Sequence, residues 1–139
     1  MQSSRKIIAR PMRLEPLEPR NLLSALIALV DTGVELDGPY RQYYDMADAY
    51  NSQTNQFASV SGEAVVQDTH GHGRVLTNQT MSGVLDAKNQ AGAAGADVKI
   101  LPISYRDPST GVTSYGAILR GIRHAADLGA AAINVSSAF

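Results

Sequence analysis

Residues 68–73 read Asp-Thr-His-Gly-His-Gly and hold two of the chain's three histidines, His70 and His72, two positions apart behind an acid. Three uses fit such a set. His70, His72 and Asp68 together are donors that zinc takes. A glycine-rich loop can carry exposed histidines with no chemistry at all. A histidine can also move a proton, if a carboxylate fixes its tautomer and a hydroxyl gives the proton up. That third use needs a buried acid from elsewhere, and Asp31 qualifies. It closes the apolar run Leu26–Val30 and is followed by Thr32 and Gly33. Glycine beside the histidine lets backbone and substrate approach closely.

The elements that must position these groups follow from the patterning. Leu26–Val30 is a short continuous apolar run and predicts a strand covered on both faces, as in a parallel sheet. Residues 38–59 are polar and rich in Tyr, Asn and Gln, and read as loop with one short element. Residues 71–89 open on glycines and space Val75, Met81, Val84 and Leu85 loosely as a helix. Residues 98–103, Val-Lys-Ile-Leu-Pro-Ile, predict a second strand, and 107–116 have turn chemistry. Residues 117–129 give the clearest helix, with Ile118, Ile122, Ala125 and Ala126 on one face and Gly129 as its cap. Residues 131–137 predict a third strand. Strand, helix, strand, helix, strand implies an α/β fold with a parallel sheet and right-handed crossovers. In such sheets functional groups collect beyond the carboxyl ends of the strands. Asp31 lies at one such end, and Ser136 and Ser137 lie near another.

Composition sets the bounds. The chain has 139 residues, 44% hydrophobic and 18% charged, which suits one globular domain. A net charge of −1 gives no electrostatic footprint for nucleic acid. The absence of cysteine excludes disulfides and thiolate metal sites within the chain. Charge is uneven: residues 1–25 net +3 and the remainder nets −4. The prolines at 11, 16 and 19 interrupt any long helix there, so residues 1–25 read as a disordered or targeting head and 26–139 as the folded unit. A signal peptide with Leu22–Val30 as its apolar region is the competing reading of this part, although the run ends directly on Asp31 with no small-x-small cleavage site. No membrane span is expected.

Two resemblances add to this. Residues 17–25, Leu-Glu-Pro-Arg-Asn-Leu-Leu-Ser-Ala, resemble the LEPR-x-L-L element at the amino end of large secreted or surface-attached bacterial proteins, which implies export. Three longer blocks resemble the amino-terminal half of a subtilisin-like serine protease (subtilase) catalytic domain. Residues 27–39 match the family's Asp block: an apolar strand, Asp-Thr/Ser-Gly, then a proline. Residues 68–77 are similar to its His block, Asp-x-x-Gly-His-Gly. Residues 92–139 resemble the following strand, helix and Val-Ile-Asn-x-Ser stretch. The order Asp, then His, then Ser is the one the subtilisin triad uses. The resemblance implies a three-layer α/β fold, a polypeptide substrate, Asp31 as the orienting acid and His72 as the general base, with no catalytic counterpart for His70. It implies substrate contacts from Ser136, Ser137 and Ala138, which match the strand that pairs with the peptide, and from Tyr115 ahead of the helix.

Departures from the family pattern set further expectations. Arg74 follows Gly73 where the family has a small hydroxyl at the start of a buried helix, so it must snorkel or pair. Tyr40 stands where the family supplies a calcium ligand, and the loop holding that ion is not recognisable, so no metal or cofactor is expected. The family's oxyanion Asn and its Gly-Thr-Ser-x-Ala nucleophile are expected beyond residue 139. Asn134 belongs to the strand and is not the oxyanion residue. Alone, the chain is expected to be inactive and its sheet to present a raw edge. Two further readings remain: a non-catalytic remnant or peptide-binding fragment, and a small dimeric aspartic protease using Asp31-Thr-Gly.

Overall fold

The computed structural model describes residues 25–91 and 97–137. The head predicted over residues 1–25, with its LEPR-type element, and the candidate Ala138 lie outside the described residues, except that Ala25 opens the first strand.

The protein is built on a mixed α/β plan around a five-stranded, mostly parallel sheet. In chain order, β1 is Ala25–Asp31, β2 is Tyr50–Asn51, β3 is Gln56–Phe57, β4 is Val98–Ser104 and β5 is Ala132–Val135. The strand order is β3-β2-β4-β1-β5, with only β3 antiparallel to its neighbour. Among the described residues three helices accompany it: α1 (Ala58–Ser61), α2 (His72–Ala91) and α3 (Tyr115–Asp127), with 3-10 turns at Arg41–Tyr43 and Glu63–Val66.

The pleat of β1 decides which side each residue serves. Ala28 and Val30 face the α3 side, packing with Leu101 and Ile103 of β4 and with Ala117, Ile118 and Ala125 of the helix. Leu29 turns to the other side, where it meets Ile100 and the fully buried Met81 of α2. Both faces are thus covered, which is why these strands read as unbroken apolar runs. Asp31, two residues beyond Leu29, falls by the same alternation on the face of α2, whose first residue is His72.

The helices solve their packing differently. α3 starts at Tyr115, two residues before the predicted position, because the Ser114 side chain caps it by accepting a hydrogen bond from the Ala117 N–H at 3.1 Å. Its Gly121 lies flat on the sheet: an added Cβ would sit 2.8 Å from Ile103 Cγ2 and 3.2 Å from Val30 Cγ1. The chain leaves α3 at Gly129 with φ +73°, as the sequence predicts. Ala126 is exposed, contrary to expectation, because the buried row runs Ala117, Ile118, Gly121 and Ala125 and leaves it on the flank. In α2 the buried positions are Gly73, Thr77 and Met81, one residue per turn; Val75, expected on the apolar face, is 48% exposed.

The polar segment 38–59 holds more structure than the single element expected. Tyr50 of β2 is in the core and pairs in parallel with Ile103. Next to it, Asn51 is fully buried, its Nδ2 donating to the carbonyls of Val65 and Arg106 and its Oδ1 accepting from the N–H groups of Gln53 and Thr54. One amide side chain thereby joins three loops, which satisfies the rule that a buried polar group must be paired. Among the described residues, no helix is long and apolar enough to cross a membrane.

Candidate functional site

At the carboxyl end of β1 the chain turns through Thr32 and Gly33. Asp31 is buried, and its Oδ1 accepts the Thr32 N–H at 2.6 Å. The same oxygen lies 2.8 Å from Nδ1 of His72. The acid's side chain is 5% exposed and the imidazole 30%. Because a carboxylate only accepts, the proton of this bond belongs to His72 Nδ1. The lone pair of a neutral ring then lies on Nε2, which has no hydrogen-bond partner among the described residues. Among the described residues the side-chain partner of Asp31 is His72.

The approach of the two segments requires glycine on both. Gly33 has φ +129°, and a Cβ there would lie 2.7 Å from the Asp68 nitrogen and the Val66 carbonyl oxygen. A Cβ on Gly73 would lie 2.0 Å from the Gly33 carbonyl oxygen, so the first turn of α2 sits directly on the turn after β1. The turn is also held from β4: the Ser104 hydroxyl donates within reach of the carbonyls of Thr32 (3.1 Å) and Arg106 (3.0 Å), and the Tyr105 N–H donates to the Asp31 carbonyl at 2.9 Å.

Asp68 is the residue whose use the sequence reading missed. Its Oδ1 accepts the N–H groups of His70 (2.9 Å) and Gly71 (3.0 Å) and the Thr32 hydroxyl (2.9 Å), while Oδ2 accepts the Arg74 N–H at 2.8 Å. Burial pushes this carboxyl up, but the hydrogen bonds from Gly71, Arg74, His70 and Thr32 outweigh burial and hold it below the ordinary value. These bonds satisfy N–H groups that a helix start leaves without partners. The signal was present in the sequence as the first letter of Asp-x-x-Gly-His-Gly. Thr32, buried and equally unremarked, accepts the Gly73 N–H on its hydroxyl oxygen at 2.9 Å.

His70 is exposed, its ring centroid 6.4 Å from that of His72. With His72 turned to Asp31 and Asp68 turned to the loop backbone, the structure does not gather the three side chains weighed as zinc donors. Among the described residues no group of three His, Cys, Asp or Glu is placed to hold a metal. Arg74 is exposed and needs neither snorkelling nor a buried partner: the helix turns its side chain outward and uses only its N–H.

No family model, curated protein or solved structure matches the chain.

The remaining candidates lie at the same end of the sheet without joining the pair. Ser136 follows β5, its N–H donating to the Val30 carbonyl at 3.2 Å, one residue from Asp31; its hydroxyl donates to Asn134 Oδ1 at 3.3 Å. Ser137 is exposed, and Tyr115, the first residue of α3, is 74% exposed. Neither serine hydroxyl bonds to His72. Beside the histidine loop lies a depression of about 290 Å³ lined by Gln67–Gly71, Glu35 and Arg74. It adjoins at Gln67 and Thr69 a wider one of about 610 Å³ that reaches Thr54 and Pro108. Neither is lined by Asp31 or His72.

Proposed function

We propose that this chain carries the acid and base of a serine endopeptidase of the subtilisin-like kind, in an α/β domain of that fold, acting on polypeptide outside the cell. The observation that carries the reading is the Asp31–His72 hydrogen bond at 2.8 Å, formed by a buried acid and a half-buried histidine at the carboxyl end of a parallel strand. Asp31 holds the ring with Nδ1–H inward, which leaves Nε2 to take the proton of an attacking serine and return it to the leaving amine. Asp31 also stabilises the imidazolium formed between those steps. Ser136 and Ser137, which follow β5 beside β1, take the role of meeting an extended peptide by its backbone, and Tyr115 that of contacting its more distant residues. Export rests on the resemblance of residues 17–25 to the LEPR-type element. The family's serine, in Gly-Thr-Ser-x-Ala, does not occur in the 139 residues, so the proposal assigns it to sequence joined to these residues in the working enzyme.

The test is made on the protein as its native gene encodes it. Its coding sequence is expected to contain Gly-Thr-Ser-x-Ala downstream of Phe139, and the purified protein is expected to be labelled at that serine by a fluorophosphonate. Asp31→Asn, which removes the acceptor that selects the tautomer, is expected to lower kcat about 10⁴-fold, and His72→Ala is expected to abolish labelling. A native product without that serine, or labelling indifferent to His72, overturns the proposal.

A further inference from the structure

The hydroxyl of Thr32 stands between the two halves of the site. Thr32 follows Asp31 in the chain, and Gly73 follows His72. The hydroxyl joins them, accepting the Gly73 N–H at 2.9 Å while lying 2.9 Å from Asp68 Oδ1. A hydroxyl has one proton. The Gly73 N–H can only donate, so the hydroxyl oxygen must accept there. An ionised Asp68 can only accept, so the proton must go to it. Asp68 thus sets the direction of the bond that joins the residue after the acid to the residue after the base. The same carboxylate holds the N–H groups of His70, Gly71 and Arg74, which bracket His72 on both sides.

Apolar burial is incomplete here: Leu76, one turn beyond His72, is only partly buried. The first buried apolar side chain of α2 is Met81, more than two turns beyond His72. Thr77 is buried but turns its hydroxyl back to the Gly73 carbonyl at 2.7 Å. Polar contacts and the close Gly73–Gly33 backbone approach therefore dominate at the start of α2.

We infer that Thr32 and Asp68 are positioning residues for the Asp31–His72 pair, acting as a directed hydrogen-bond clamp that holds Nδ1 of His72 on Asp31. Neither touches the reacting atoms. The inference rests on reading that pair as acid and base, and its test observes the pair itself without peptide hydrolysis, so the two can fail separately.

The experiment is proton and nitrogen NMR of the 139-residue chain, following the downfield His72 Nδ1–H signal and the exchange of the Gly73 amide. Wild-type protein is expected to show the Nδ1–H signal. Thr32→Val, which keeps the shape and removes the hydroxyl, is expected to lose it by exchange with water and to speed Gly73 amide exchange by about five- to tenfold, the equivalent of one hydrogen bond. Thr32→Ser is expected to restore both. Should Thr32→Val fail to fold, Asp68→Asn is read in its place: its amide sets a donor against a backbone N–H, and the Nδ1–H signal is expected to broaden at a temperature where wild type is sharp. Ser114→Ala, at the cap of α3, serves as a control that lowers the melting temperature and leaves the signal intact. Retention of the signal in Thr32→Val or in Asp68→Asn, or its loss in Ser114→Ala in proportion to stability, overturns the inference. A wild-type chain lacking the signal overturns both the inference and the pair.

Discussion

The two long helices make opposite use of their sequences. α3 has 13 residues and buries Ala117, Ile118, Gly121 and Ala125 against the sheet; its start is capped by Ser114 and its end is closed at Gly129. α2 has 20 residues, and over 72–90 its buried positions are Gly73, Thr77 and Met81. The longer helix is the less firmly packed, and it carries the histidine. Packing on α3 is spread over many apolar contacts, each of which can yield a little. At the head of α2 a few hydrogen bonds and one close backbone contact bracket His72. The helix packed flat on the sheet and the helix that carries His72 are fixed by different forces.

The largest effect that would break this comparison is expected at Gly73. Gly73→Ala places a Cβ 2.0 Å from the Gly33 carbonyl oxygen, a backbone atom. It is expected to cost about 3 kcal/mol or more, in the range of a severe core insertion, and to separate His72 from Asp31. Gly83→Ala, in the same helix, meets nothing within 4 Å and is expected to stabilise by about 1 kcal/mol through helix propensity. Chemical denaturation of the two variants checks both signs. Equal costs would mean that α2 is uniformly packed and would end the distinction.

A middle-sized effect is expected at the other helix. Ser114→Ala removes the side chain that accepts the Ala117 N–H and is expected to cost about 1 kcal/mol. Amide exchange should quicken in the first turn of α3, while the Gly73 and Arg74 amides keep their protection.

The smallest effect is the pH dependence of the α2 start. The Asp68 carboxyl is held below its ordinary value of 3.8, so it contributes stability that is fully present above that pH. The contribution is lost as pH falls from about 3.8 through the lower folded value. Acid titration followed by amide exchange is expected to release Gly71 and Arg74 in this window while the middle of α3 stays protected, and Asp68→Asn is expected to flatten that response. Simultaneous release of both helices would show that they unfold as one unit.

Much of this arrangement was legible in the residues. The unbroken apolar runs predicted β1, β4 and β5 because both faces of a parallel sheet are covered, and the boundaries moved by only a few residues. Asp31 and His72 were legible as a carboxylate and an imidazole able to pair, and the structure brings them within hydrogen-bond distance. The hairpin of β2 and β3 was not, since strands of two residues are too short to show a period, and Tyr50 and Asn51 take their places through partners 14 to 55 residues away. Val75 and Ala126 were misplaced because helical spacing gives a face but not its width, which depends on how closely each helix lies to the sheet.

The sequence by itself determined the strands, the clearest helix and its glycine end, and the residue types able to move a proton, because these depend on local periodicity and on side-chain chemistry. Only the tertiary structure decided that Asp31 meets His72, and that Asp68 ties a loop where it could have held a metal. It also turned Arg74 outward. Each of these depends on which lone pairs are already taken when two segments some forty residues apart close on each other, and periodicity along a single segment does not contain that information.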